Sequence, residues 1–130
     1  MTIMGAIYHL DAVKPNGYTQ TEKIKWLSTL DGVIKCEIID THEKCNHCNL
    51  CSESLTFNGY DESTALTQEL LVPHPYDEVY IRWLEAQIDY ANGEYGKYNN
   101  SITMYNTAFA AFERYYNRTH KPISKKFTHF

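Results

Sequence analysis

Residues 73–120, PHPYDEVYIRWLEAQIDYANGEYGKYNNSITMYNTAFAAFERYYNRTH, decide the fold class. Apolar residues recur every three or four positions on both sides of Asn92 and Gly93, a period that indicates two amphipathic helices. The Asn-Gly pair itself is typical of a helix end. We therefore predict an antiparallel helical hairpin, whose second helix begins near Glu94 and ends at about Asn117.

The first helix of this hairpin has its own signals. Pro75 suits the first position of a helix, and Asp77 and Glu78 stand where the helix dipole favours carboxylates. Glu78, Glu85 and Asp89 fall on roughly one side of the helix, where they also resemble paired catalytic carboxylates. A solvated helix face explains these three residues more simply, so we predict that they are exposed.

A third helix is predicted over residues 19–40. Thr19 and Glu22 form a capping box, and apolar residues follow at steps of three and four: Ile24, Leu27, Leu30, Ile34 and Ile38. Cys36 is expected inside this helix as a small buried residue. The first sixteen residues are consistent with one short helix that ends at a Pro-Asn-Gly turn.

The remaining segments lack a helical period. Residues 42–64 are rich in turn formers and are predicted to be an irregular Cys-rich loop, whereas residues 65–72 fit either a strand or a helical turn. Residues 118–130 are predicted to be an extended C-terminal arm. The chain is thus predicted to be one domain, 1–130, and mainly α: a small helical bundle with a long antiparallel helical hairpin, this loop and this tail.

Length and composition restrict the class of protein. The chain has 130 residues, a net charge of -4 and 11 tyrosines. The charge does not indicate a nucleic-acid binder, and tyrosine suits half-buried positions or subunit contacts equally well. We find no run that could cross a bilayer and no signal peptide. The cysteines are therefore expected to be thiols or metal ligands in a reducing compartment.

The stretch HEKCNHCNLC, residues 42–51, is the candidate metal site. A structural zinc takes four thiolate or imidazole ligands in a tetrahedron, and four residues here follow one another at steps of three: His42, Cys45, Cys48 and Cys51. The intervening asparagines favour the broken backbone that convergence requires. Free thiols in a surface loop are the alternative. A zinc held by all four ligands would staple the loop and leave no position open for catalysis.

Motifs of catalysis are not found in the sequence. It has no glycine-rich phosphate loop, no His-Glu-x-x-His pair and no Gly-x-Ser-x-Gly elbow. His74 stands between two prolines without a visible partner, while His9, His120 and His129 are expected at the surface. We therefore predict that the protein is not an enzyme.

The C-terminal arm is basic and aromatic. Residues 117–130, NRTHKPISKKFTHF, contain four basic residues and no acidic ones. A solvated disordered end is one interpretation, and an arm that docks on another subunit is the other; the phenylalanines favour docking. The candidate docking residues are Arg118, His120, Lys121, Lys125, Lys126, Phe127 and Phe130.

Six short motifs, in this order, resemble a known family: Lys-Pro-Asn (14–16), Lys-Ile-x-Trp-Leu (23–27), Ile-Ile-Asp-Thr-His-Glu (38–43), Pro-Tyr-Asp-Glu (75–78), Ile-Asp-Tyr-x-Asn-Gly-Glu (88–94) and Tyr-Asn-Arg-Thr-His (116–120). The family is the head-tail connector, or adaptor, proteins of tailed phages and prophages of Gram-positive bacteria. The resemblance covers most of the chain but not the Cys-rich segment or the extreme C-terminus.

The resemblance implies a structural virion protein of the phage neck, assembled in the cytoplasm of the bacterial host. About a dozen copies would form a ring that joins the portal protein to the next neck or tail protein, and DNA would pass through its channel without sequence-specific binding. The C-terminal arm would reach the portal. No family role extends to the cysteines.

Two other classes compete with the connector hypothesis. A zinc-stapled helical regulatory or nucleic-acid-binding protein would need a basic recognition helix, but residues 94–117 contain only Lys97 and Arg114 as basic residues. A small enzyme that uses the Cys-rich segment would need a base and a pocket signature. The connector is therefore the leading hypothesis, with the zinc-bearing regulatory protein as its alternative.

Overall fold

The computed structural model of the protein describes residues 1–42 and 57–120, and it is mainly helical, as predicted. A short 3₁₀ turn, Ile39–Thr41, follows the second of four helices. The helices are α1 (Ile3–Val13), α2 (Gln20–Glu37), α3 (Glu78–Ala91) and α4 (Tyr95–Thr119). Most of the predicted Cys-rich loop and arm, residues 43–56 and 121–130, lies outside the described residues.

Helix α2 begins and packs as its sequence pattern predicts. The Thr19 hydroxyl accepts a hydrogen bond from the Glu22 amide at 3.2 Å. The whole apolar stripe is buried: Ile24, Leu27, Leu30, Ile34 and Ile38. Cys36, however, is exposed, because two residues after Ile34 a helix has turned by about 200° and points away from the core.

Helix α1 is held at its start by residues 65–72. The Ile3 amide donates to the Gln68 carbonyl at 3.1 Å, and the Leu70 amide donates to the Met1 carbonyl at 2.9 Å. Thr2 and Glu69 form an isolated antiparallel bridge. The ambiguous segment is therefore neither a regular strand nor a helix. It begins with a turn, in which the Gln68 amide donates to the Ala65 carbonyl at 2.9 Å, and then pairs with the N-terminal residues.

Helices α3 and α4 pack against each other through apolar and aromatic side chains. Gly93, at φ +73°, supplies the left-handed residue that the turn between them requires. Trp83 of α3 lies against Tyr105 of α4, with ring centroids 5.0 Å apart. Fully buried residues of both helices join the single core, among them Val79, Tyr80, Leu84, Ile88, Phe112 and Tyr116.

The start of α3 differs from the prediction. The helix begins at Glu78 with Asp77 as its N-cap residue, so Pro75 is not its first residue and lies in a turn before it. The Tyr76 amide donates to the Pro73 carbonyl at 2.9 Å, and this turn lets the Tyr76 ring stack on Tyr115 at 4.7 Å. Aromatic packing against α4 thus sets where α3 begins.

Asp89 corrects a second prediction, because this carboxylate is fully buried and not part of a solvated face. Its Oδ1 lies 2.5 Å from the Lys14 ammonium, and its Oδ2 accepts a hydrogen bond from the Ser101 hydroxyl. Nearby, the Tyr18 hydroxyl donates to Asn92 Oδ1 at 2.5 Å. These contacts join the turn after α1 to the turn between α3 and α4.

We expect the Asp89→Ala substitution to lower the free energy of unfolding by about 3 kcal/mol, because it leaves the Lys14 ammonium without its buried partner. Glu78→Ala is the matched control from the same predicted face. The Glu78 side chain is 61% exposed, so its loss should change stability by less than about 0.5 kcal/mol. Urea denaturation followed by circular dichroism measures both, and equal effects would contradict the assigned role of Asp89.

Candidate functional site

His42 is the predicted zinc ligand that the structure describes, and it is buried. Its Nδ1 lies 2.6 Å from the Ile38 carbonyl oxygen and its Nε2 lies 2.5 Å from Asn117 Oδ1. A zinc ion on His42 would have to replace one of these contacts. The other predicted ligands lie outside the described residues: Cys45, Cys48 and Cys51. The zinc site therefore stays a prediction.

Arg118 and His120 are the predicted arm residues that the structure describes. Arg118 is exposed in the last turn of α4, so the helix extends past the predicted end at Asn117. His120 is not at the surface as the sequence predicts: it is only 5% exposed, because its ring stacks on Tyr116 at 3.9 Å. The remaining arm residues lie outside the described residues: Lys121, Lys125, Lys126, Phe127 and Phe130.

Tyr116 joins these two regions. Its ring meets His42 edge-on at 4.9 Å and stacks on His120. His42 immediately precedes residues 43–56, and His120 immediately precedes residues 121–130. The last described residues before the Cys-rich segment and before the rest of the arm therefore meet in one cluster, which sequence reasoning missed. The i, i+4 spacing of Tyr116 and His120 was its one local signal.

Asp31 forms a second buried centre that the sequence did not single out. Its carboxylate accepts hydrogen bonds from the Tyr60 and Tyr80 hydroxyls, both at 2.6 Å, and from the Leu71 amide at 3.2 Å. The Tyr80 hydroxyl in turn accepts from the Val72 amide at 2.7 Å. One carboxylate of α2 thus fixes the segment between residues 57 and 72 against α2 and α3.

Burial dominates the electrostatics of this centre. Desolvation raises the pKa of Asp31 to about 6, against the opposing effect of its three hydrogen-bond donors. Desolvation and the nearby Asp31 charge raise the pKa values of Tyr60 and Tyr80 above the ordinary range. Both hydroxyls therefore stay protonated and act as donors to Asp31, which is the arrangement of a structural anchor.

Each of two grooves on the described residues contains a charged group that already has a partner. A groove of about 510 Å³ beside α2 includes Asp61, whose carboxylate accepts from the Ser63 amide at 2.9 Å. A groove of about 330 Å³ between α1 and α3 includes Arg82, which bonds Glu78 at 2.8 Å. These charges shape the turn and the helix that carry them.

Helix α4 has a largely exposed surface without charge. Of its 25 residues, only Phe112 and Tyr116 are buried, and residues 98–112 contain no charged side chain. We call its solvent-facing side the α4 outer face; it comprises Asn100, Thr103, Met104, Thr107, Ala110 and Ala111, with Arg114 and Arg118 at the end. Exposed helix faces are usually charged, so this face resembles a contact surface more than a solvated one.

Aromatic side chains are also exposed at the turn between α3 and α4. Tyr90 and Tyr95 are 58% and 62% exposed, and the Tyr90 ring lies edge-on to both Tyr95 and Tyr98. On the other side of α3, helix α1 exposes Met4 and Tyr8. Several large apolar groups thus face solvent on the helices themselves.

Comparison with known proteins identifies no relative: no family model, no curated protein and no solved structure matches the chain. In the part of the chain that the structure describes, no helix is long and apolar enough to cross a membrane. Within the same residues, no group of three His, Cys, Asp or Glu side chains is placed to hold a metal ion.

Asp31 gives a testable pH dependence. Because its pKa rises from 3.8 to about 6 on folding, the folded state favours the protonated carboxyl, and the stability this provides below pH 4 is lost as the pH rises to 6. The loss should approach about 3 kcal/mol relative to Asp31→Asn, which cannot titrate. Urea unfolding of both proteins at several pH values measures the difference, and identical pH profiles would contradict the buried-carboxyl account.

Proposed function

We propose that the protein is a structural connector of the phage neck, in which copies assemble into a ring between the portal protein and the next neck or tail protein. The observation that carries the proposal is the α4 outer face, which has no charged residue between Asn100 and Ala111, on a helix with only two buried residues. The order of the six sequence motifs supplies the biological setting.

The α4 outer face supports self-association on physical grounds. Each copy has a net charge of -4, so contacts between charged faces of two copies would meet repulsion. An uncharged face avoids this cost, and Met104, 47% exposed, gains from leaving water. Interfaces are depleted of charge at their centres and enriched in Tyr and Met, which is the composition of α4 and its adjoining turn.

The ends of the bundle support contacts with other neck proteins. The cluster of His42, Tyr116 and His120 lies at the C-terminal end of α4, and His42 and His120 immediately precede residues 43–56 and 121–130 in the sequence. The Tyr90 and Tyr95 rings lie at the other end of this helix. In the proposed ring, the arm would contact the portal and the turn between α3 and α4 would face another protein. Zinc, where the cysteines bind it, would stabilise the segment that follows His42.

DNA passage is consistent with the acidic net charge. Phosphate contacts from Lys and Arg give non-specific affinity, and a conduit that held DNA tightly would slow its passage. In the proposed function, the ring therefore encloses DNA without sequence-specific contacts. The proposed location of the ring is the neck of the virion.

The substitution Thr107→Lys tests the interface on α4. A lysine buried between two copies would be desolvated without a partner, so we expect self-association to weaken about 100-fold or more. The helix itself should be unaffected, because lysine is the better helix former. Sedimentation velocity across a concentration series measures the change.

Thr29→Lys is the matched control. Thr29 is also exposed on a helix, and its hydroxyl bonds the carbonyl four residues earlier at 3.1 Å, as the Thr107 hydroxyl does. We expect this variant to associate like the unmodified protein. Equal behaviour of the two lysine variants would rule out the α4 outer face as the contact.

A further inference from the structure

The α4 outer face has a basic end as well as a neutral centre. Asn100, Thr107 and Arg114 follow one another at seven-residue spacing and therefore lie along one line of the helix. Arg114 and Arg118 are exposed, and in residues 1–42 and 57–120 neither forms an ion pair. A partner surface would need a neutral centre and an acidic end to match.

Helix α1 has such a surface, which we call the α1 face: Met4, Tyr8 and the adjacent Glu69. Tyr8 is 78% exposed, the most of any large apolar side chain described. Glu69 lies at the start of α1 because it pairs with Thr2. Its side chain is 71% exposed and its one ion pair is to the Met1 ammonium, at 3.2 Å. The face is therefore apolar at its centre. At its N-terminal end the carboxylates of Glu69 and Asp77 flank the single Met1 ammonium, so this end is acidic.

The spacing of the two faces also matches. A helix rises 1.5 Å per residue, so along α4 Thr107 lies about 10 Å before Arg114. Along α1, Tyr8 lies about 9 Å after Thr2, the residue with which Glu69 pairs. When Glu69 meets Arg114, Tyr8 therefore reaches Thr107 and its neighbour Met104. This register requires the two helices to run antiparallel.

We propose that the α1 face of one copy docks antiparallel on the α4 outer face of the next, with Glu69 paired to Arg114 and Tyr8 packed at Thr107. The inference rests on the proposed function and specifies its self-contact. A second copy is the occupant that the charges favour, because each copy presents both halves of the complementary pair. The two faces differ, so the contact is head-to-tail, and its repetition closes a ring where the rotation permits.

Charge reversal tests this register through mixing. Arg114→Glu places two carboxylates opposite each other in every contact between identical copies, and Glu69→Lys places two cations there. Each variant alone should associate about tenfold more weakly at low salt. In a one-to-one mixture, every α1–α4 contact between unlike copies pairs opposite charges, so assembly should recover. Sedimentation velocity of each variant and of the mixture measures this.

Tyr8→Ala provides a readout that involves no charge. Loss of an aromatic anchor at the centre of a contact weakens binding about tenfold or more. Tyr95→Ala is its control, because Tyr95 is similarly exposed, at 62%, but lies outside both faces. Unchanged association of Tyr8→Ala, or equal loss in the two variants, would overturn the proposed register.

The outcomes separate this inference from the proposed function. If the unmodified protein stays monomeric, the proposed function itself fails. If it assembles and both charge variants also assemble alone, the contact lies elsewhere and only the inference fails. If each variant alone fails to assemble and their mixture fails as well, the α4 outer face contacts a surface other than the α1 face. The inference is then again overturned.

Discussion

The buried ion pair between Lys14 and Asp89 is the constraint on which the rest of the bundle depends. Asp89 is fully buried on α3, and its carboxylate also accepts the Ser101 hydroxyl of α4. A carboxylate without water must keep its partners, so the end of α1 and two helices are held at one point. This constraint fixes the turn end of α3 and α4, and apolar and aromatic side chains hold the two helices together along the rest of their length.

The proposed function rests on what this arrangement leaves exposed. Helix α4 keeps an outer face whose centre is uncharged, and α1 keeps Met4 and Tyr8 in solvent. When such exposed apolar surfaces are covered by another protein surface, the free energy of the system falls. Each groove, by contrast, contains a charged group that is already bonded, Asp61 to the Ser63 amide and Arg82 to Glu78. These exposed surfaces are the basis of the proposal that copies of the chain assemble.

The sequence predicted what depends on neighbours in the chain and missed what depends on distant pairs. The α2 stripe and its Thr19 cap followed from local periodicity, and so did the helix end at Gly93. Asp31 and Asp89 look like ordinary acidic residues, since their burial depends on tyrosine and lysine side chains from other elements. The helix start at Glu78 was misplaced because Tyr76 packs on a helix much later in the chain. In the candidate site, His42 was predicted to be a zinc ligand and His120 to belong to the arm. The composition of the chain does not indicate that both contact Tyr116.

The central claim is that copies of this chain associate into a closed ring through helix faces whose centres carry no charge. Native mass spectrometry of the unmodified protein at increasing concentration tests it most directly, because the method counts the copies in each species. The account predicts one dominant species of many copies, about a dozen by the family resemblance, and few intermediates. A protein that remains a monomer or stops at a dimer at every concentration would contradict it.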